Sequence, residues 1–494
     1  MTPTPSARLG LLAAGLSLIA SAAGAAVFNV TTTTDELHGG CAEVCSLRDA
    51  VVAANAAGGT GVILLPAGTY TLTHTGAGDD SAALGDLDLT ADVTILGHGA
   101  ADTILDGNAA DRVLDVLAGA QVEVRDVTIR NGAADLGGGV RNAGTLLLVR
   151  SIVQSNHATV EGGGVWSGGT NAALTVEHST IASNVATLRG GGILVRRGDG
   201  SIEASTVALN QATDGGGLYY VGGTSGAIRS ATVATNSASH SSGGIFAESL
   251  PFVSIDHPAL VNTILAKNSA PSAADCSGPV VSNGYNLLGT GGDCIDFLAV
   301  KNDQTGSAAS PLDPKLASLA GNGGPTTTLA LLAGSPALDH GNPAAAGDPD
   351  ACSPSDQRGA ARPGAPGSLC DVGAFEQTTR CVAGGTSLCL NGGRFRVTAH
   401  WQTASAAGDA EGVALTPDTG YFWFFAPSNV EVTVKVLNGC STNQRFWVFS
   451  SGLTNVRVDL AVTDTVTGKV KTYSSPQGPA YTPRLDTQAF AVCS

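Results

Sequence analysis

The chain has 494 residues, with 25 Lys and Arg against 41 Asp and Glu, and its formal charge of −16 speaks against nucleic acid or an anionic membrane surface as partner. Beyond the amino-terminal leader no apolar stretch reaches the roughly 18 residues of a membrane-spanning helix, so none is expected. Ten cysteines, an even number, favour disulfides in an oxidising compartment over zinc, for which no recognisable Cys/His spacing is present.

Residues 1–26 read as a secretory signal peptide: Arg8, the apolar run Leu9–Ile19, then the small residues Ala20–Ala26. Residues 27–60 form an expected N-terminal cap. Within it Ser46–Asn55 carries apolar residues at 47, 51 and 54, with Ser46 and Asp49 spaced as a near capping box. A short amphipathic helix follows from that pattern, placed to plug the open end of a stacked core. Val62–Leu72 then supplies the first strands.

A phrase that runs from Asn to a Gly cluster recurs five times, at Asn131–Gly139, Asn156–Gly164, Asn184–Gly192, Asn210–Gly217 and Asn236–Gly244, with a degenerate copy from Asn268. Its steps of 25 to 32 residues are those of a solenoid, in which each unit buries its apolar face against its neighbours. A short Val, Ile and Thr-rich run precedes each Asn, and no segment between the copies shows a helical apolar stripe. Two or three short strands per coil must therefore make the parallel crossover, which is expected to be right-handed. The fold class expected is all-β: a right-handed parallel β-helix over 61–340, an irregular cap over 341–378 and a small antiparallel β-sandwich over 380–494. The repeated Asn is expected to take the left-handed conformation and to bond to the Asn one coil away. The glycines are expected to make tight corners where backbones approach closely.

From Arg380 the composition changes. Thirteen of the 23 aromatic residues lie beyond it, in runs such as Tyr421–Phe425 and Phe446–Phe449 that suit a sandwich. Local spacing pairs Cys41 with Cys45, Cys276 with Cys294 and Cys352 with Cys370, leaving the pairing of Cys381, Cys389, Cys440 and Cys493 open.

Several of these segments resemble known families. Cys41 to Cys45-Ser-Leu-Arg-Asp-Ala50 resembles the CSLREA motif of exported bacterial β-helix proteins, and Leu64–Tyr70 with Gly85–Thr90 resembles the early coils of the pectin-lyase-like superfamily. Asp356–Pro363 followed by Cys370–Glu376 resembles the choice-of-anchor Q signature, and the Asn/Gly repeats are similar to those of chlamydial polymorphic outer-membrane proteins. The resemblance covers about residues 30–377. It implies a secreted or cell-surface β-helix and carries no reaction with it.

Because many β-helix proteins cleave acidic polysaccharides, a site was sought in residue columns aligned on the repeat Asn. The column seven residues before it reads Val124, Val149, Glu177, Glu203, Arg229, Val261, and the next reads Arg125, Arg150, His178, Ala204, Ser230, Asn262. Glu177 and Glu203 stacked beside Arg229, with His178 adjacent, are the catalytic candidates for a polysaccharide lyase or glycoside hydrolase. An ion-pair ladder on the outer surface explains the same residues without chemistry. Gly97-His98-Gly99 resembles a polygalacturonase triplet without its partner motifs. No organic cofactor or dedicated metal-ligand set is indicated; calcium could sit on Asp79-Asp80 and Asp86/Asp88, although no loop alternates ligands as a calcium loop does. The expectation is an exported, non-catalytic, monomeric protein, released or held at the bacterial surface, that binds an extracellular polysaccharide or cell-surface glycan.

Overall fold

The structure is a computed structural model that describes residues 25–491 except 77, 79, 170, 223–224, 249–256, 292–293, 295–301, 333, 346, 365–368, 378–380, 382 and 466–468. The segment expected to be a signal peptide lies outside the described residues, apart from its last two.

Short parallel strands stack into a solenoid with three long faces of ten, ten and eight strands and a fourth partial face of five. One coil shows the plan: Ala173–Glu177 lies on the first face, Thr180–Ala182 on the second, Val185–Ala186 on the fourth and Ile193–Arg196 on the third. The corners between these strands are single residues in the left-handed region, His178 at φ 51°, Ser183 at φ 57° and Gly190 at φ 64°. Inside, like residues stack on like. Ile63, Ile95, Val124, Leu148, Val176, Ile202, Ile228 and Leu260 are paired in register and fully buried. Each such side chain contributes about 1.5–3 kcal/mol of burial.

The Asn ladder runs through this interior. In Asn156, Asn184, Asn210 and Asn236 the Nδ2 donates to Oδ1 of the next Asn at 2.9–3.0 Å, and Asn268 ends the row on Asp275 at 3.0 Å. The Oδ1 atoms of Asn184, Asn210, Asn236 and Asn268 also accept the backbone N–H of the previous Asn, and that of Asn156 accepts from Gly132, so these buried amides are satisfied. Two expectations are corrected here. The left-handed residue is the one before the Asn (Ser155, Ser183, Leu209, Thr235, Lys267), since the ladder Asn has to point its side chain inward. Asn131 is not in the ladder: it occupies the corner itself at φ 54°, donates to Asp106 at 3.0–3.1 Å, and Gly132 takes the ladder position. The Gly clusters sit where successive coils touch. A β-carbon on Gly164 or Gly192 would lie 2.6–2.7 Å from a carbonyl oxygen of the next coil.

The N-terminal helix, Leu47–Ala56, packs Leu47, Ala50, Val51 and Ala54 into the core, and Ser46 and Asp49 close a capping box. Hydrogen bonds from His38 and Ser46 hold the Asp49 carboxyl below its ordinary range although burial alone would raise it. Arg48 is fully buried. It forks onto Asp35 at 2.7 and 3.1 Å and donates to the carbonyls of Ala82, Gly85 and Asp86, so one guanidinium fixes the path of loop 82–86.

The described residues of the expected irregular cap, 341–345, 347–364 and 369–376, run along the side of the solenoid as a strap. With the antiparallel hairpin Leu316–Ala320 and Thr328–Leu331 they cover the outer second face. Gln357 is the centre of this clasp: it accepts from Thr206 at 2.5 Å and donates to Thr180, Thr326 and the carbonyl of Thr327 at 2.9 Å. The carboxylate of Glu376 accepts from the backbone of Gly364 and Asp371, 3.5 Å from Arg362, and Arg358 stacks 3.7 Å over Phe375. Burial pushes the Glu376 carboxyl up to about 7 against the pull of Arg362, and burial likewise raises Asp371 and Glu177. The folded state thus holds these protons more tightly than the unfolded chain, and their contribution to stability falls as pH rises from about 4.5 to 7. Melting measured at pH 5 and pH 8 should show the higher Tm at pH 5, and Glu376→Gln should reduce the difference. An unchanged difference in that variant would show that other groups set it.

The last segment forms two antiparallel sheets of five strands whose inner faces meet around Phe395, Phe422, Phe446 and Phe490. Tyr421, Trp423, Trp447 and Phe449 are half-buried and Phe425 is exposed, so this domain divides its aromatics between core and surface.

Candidate functional site

The register places Glu177, Glu203 and Arg229 on consecutive coils of the first face. The first coil differs from the expected column: Arg125, not Val124, pairs with Val149, and Val124 points inward. The companion column begins at Asp126 for the same reason, because that coil carries its Asn one position early. His178 belongs to this corner column. The site these residues form is roofed by the strap. Ser353 donates to Glu203 at 2.7 Å and its backbone N–H to Ser230, Ser355 lies 3.2 Å from His178 Nε2, and Thr326 donates to the His178 carbonyl. Burial lowers the His178 pKa, and burial followed by repulsion from Glu203 raises that of Glu177. The Nε of Arg229 is buried with no hydrogen-bond partner among the described residues, which is not the exposed ion-pair ladder weighed as the alternative. His98 is an exposed turn residue, 3.6 Å from Asp102.

A different outward column lies on the third face, away from the strap. On the third face Asp88, Asp115, Arg141, Trp166, Leu194, Tyr219 and Phe246 are paired in register, all pointing outward. The rings of Tyr219 and Phe246 stack at 5.0 Å, 5° from parallel, while Trp166 and Phe246 keep part of their surface exposed. Across the Gly corner, side chains of the fourth face meet them. Arg196 forks onto Glu161 at 2.9 Å, Arg189 lies 5.4 Å over the Tyr219 ring, and the Tyr219 hydroxyl donates to Glu248 at 2.6 Å. Together these line the third face with two part-exposed rings, Trp166 and Phe246, and charged side chains beside them, over Leu194 and Tyr219, which are buried.

At the N-terminal end of this face lies a cavity of about 580 Å³. Asp86, Asp88 and Asp115 line its buried part, Asp80, Asp111 and Asp135 the outer part, with Arg112 and Arg141 between. Arg112 bridges Asp86 at 2.9 Å and Asp115 at 3.1 Å, and Arg141 reaches the same Asp115 oxygen at 2.7 Å. Asp88 accepts from Ala82 N–H at 2.8 Å. Burial pushes Asp86 up to about 6 and Asp88 up to about 7, the latter helped by repulsion from Asp86. Arg48 sets this geometry through loop 82–86, and Asn55 holds the Asp88 carbonyl at 2.7 Å.

Comparison with protein-family models, with curated proteins and with solved structures gives no match. The fold and the site must therefore speak from their own geometry.

Of this pocket the sequence reading named Asp86 and Asp88, as possible calcium ligands with Asp79-Asp80; Asp79 lies outside the described residues. It missed Asp115, Arg112 and Arg141. A usable signal existed: Leu87-Asp-Leu89, Leu114-Asp-Val116 and Val140-Arg-Asn142 each set one charged residue between flanking residues that point inward. Four of the cysteine pairs stand at bonding distance, Cys41–Cys45, Cys276–Cys294, Cys352–Cys370 and Cys381–Cys389, and no helix among the described residues is long and apolar enough to cross a membrane.

Proposed function

We propose that this is an exported, adhesin-like β-solenoid that binds an extracellular polysaccharide or cell-surface glycan along the outer surface of its third face. The observation that carries the reading is the column Trp166, Leu194, Tyr219, Phe246, with part-exposed rings at both ends and ion-paired Arg and Glu beside them. Sugar rings stack their apolar faces on aromatic side chains and offer hydroxyls to charged, planar hydrogen-bonding groups, and this face supplies both, through Trp166 and Phe246 and the ion pairs beside them. Side chains repeated at the inter-strand step of about 4.8 Å suit a polymer better than a single small molecule. Export is supported by the leader-like sequence and by cysteines at bonding distance.

A glycan array probed with the mature full chain, paired with an activity screen on pectin, alginate and other uronates, tests this. Binding without product is expected, and Trp166→Leu with Phe246→Leu, which keep apolar cover but remove the rings, should weaken it by about tenfold or more. Absence of binding to every glycan, or release of unsaturated or reducing-end products, would overturn the proposal. So would undiminished binding by the double variant.

A further inference from the structure

We propose that Asp86, Asp88 and Asp115 hold one calcium ion at the N-terminal end of the third face. Each offers a carboxylate oxygen, and the three ligand atoms lie within 4.8 Å of one another. Calcium takes oxygen ligands at about 2.3–2.6 Å, so donors up to about 5 Å apart can share one ion. All three residues are buried, between 1% and 4% exposed.

A second observation is independent of the clustering. Asp115 is 2% exposed, and although Arg112 and Arg141 both bond to its Oδ2, its Oδ1 is buried with no hydrogen-bond partner among the described residues. An anionic oxygen out of water and without a donor is costly, and a cation in the cavity removes that cost. The Oδ2 atoms of Asp86 and Asp115 face the Arg112 guanidinium, which leaves their other oxygens for the ion. Six aspartates against two arginines give the cavity an excess of negative charge that the guanidiniums do not cancel. The volume of about 580 Å³ leaves room for the waters that complete a six- to eight-fold shell. Magnesium fits less well, because it demands near-ideal octahedral geometry that a rigid, arginine-braced cluster does not offer. The loop bearing Asp86 is fixed by Arg48, so the site is pre-formed by the helix cap.

The proposal stands apart from the glycan reading and is tested without glycan. Mature full-length protein stripped with EDTA is titrated with CaCl2 by calorimetry, and melting is followed with and without the ion. One saturable calcium per chain and a raised Tm are expected, with affinity weakened about tenfold or more in Asp115→Asn. If Asp115→Asn does not fold, Asp88→Asn and crystals grown in calcium carry the same test, with the ion expected against Asp115 Oδ1. No saturable calcium binding, preference for MgCl2, unweakened affinity in a folded variant, or an ion located elsewhere would overturn it.

Discussion

Arg48→Met should lower the unfolding free energy by about 3–5 kcal/mol, the range seen when one partner of a buried ion pair is removed. The side chain is fully buried and Asp35 is 7% exposed, so methionine would leave Asp35 a charge in the interior with two backbone donors, Thr73 and His74, as its remaining partners. The carbonyls of Ala82, Gly85 and Asp86 would lose their donor at the same time. Arg48→Lys should rescue little, since an ammonium cannot reproduce the two-pronged contact to Asp35 while reaching three carbonyls. Chemical denaturation of the three proteins is the check. A loss in Arg48→Met below about 1 kcal/mol, the scale of one ordinary hydrogen bond, would show that the cap does not depend on this guanidinium.

Asn184→Leu is expected to cost a similar amount, about 3–5 kcal/mol, by stranding several buried groups at once. The side chain bonds to Asn156 on one side, to Asn210 on the other and to the Val153 carbonyl between them. The informative contrast is Asn131→Leu. Asn131 begins the same sequence phrase but stands outside the ladder, at a corner and part-exposed, with Asp106 as its side-chain partner. About 1 kcal/mol is expected there. Equal losses at the two positions, read from denaturant midpoints, would refute the distinction between ladder and corner.

Much of the solenoid was legible because its periodicity is written in residue types that do one job each. Gly where backbones touch, Asn where buried amides need partners and Val, Ile or Leu where coils stack all recur at the step of the coil. The helix cap was legible for the same reason, from Ser46, Asp49 and the apolar spacing between them. Failures came where geometry departs from the motif by one residue. Aligning on Asn131 moved Val124 into an outward column that belongs to Arg125. The strap was hidden because Asp356-Gln-Arg-Gly359 has no period to betray what it touches, and its partners Thr180 and Thr206 lie 177 and 151 residues before Gln357. That contact decides whether Glu203 and His178 are open. The third-face pocket was missed because Leu87–Leu89 and Leu114–Val116 precede the first Gly cluster, so a register anchored on that cluster could not reach them.

The strap changes what kind of object the solenoid is. A stack of coils in which each unit touches only the next behaves as a one-dimensional chain of springs, free to fray or crack at its weakest joint. Gln357 ties to Thr180 and Thr206, Ala374 to Thr232 and Gly373 to Asn262, so the strap spans four successive coils and the three joints between them like a batten nailed over planks. Opening any one of those joints strains the batten at the others. The coils from Thr180 to Asn262 are thereby merged into one cooperative block, while those on the N-terminal side, around the acidic pocket, rely on stacking, the helix plug and Arg48 for theirs.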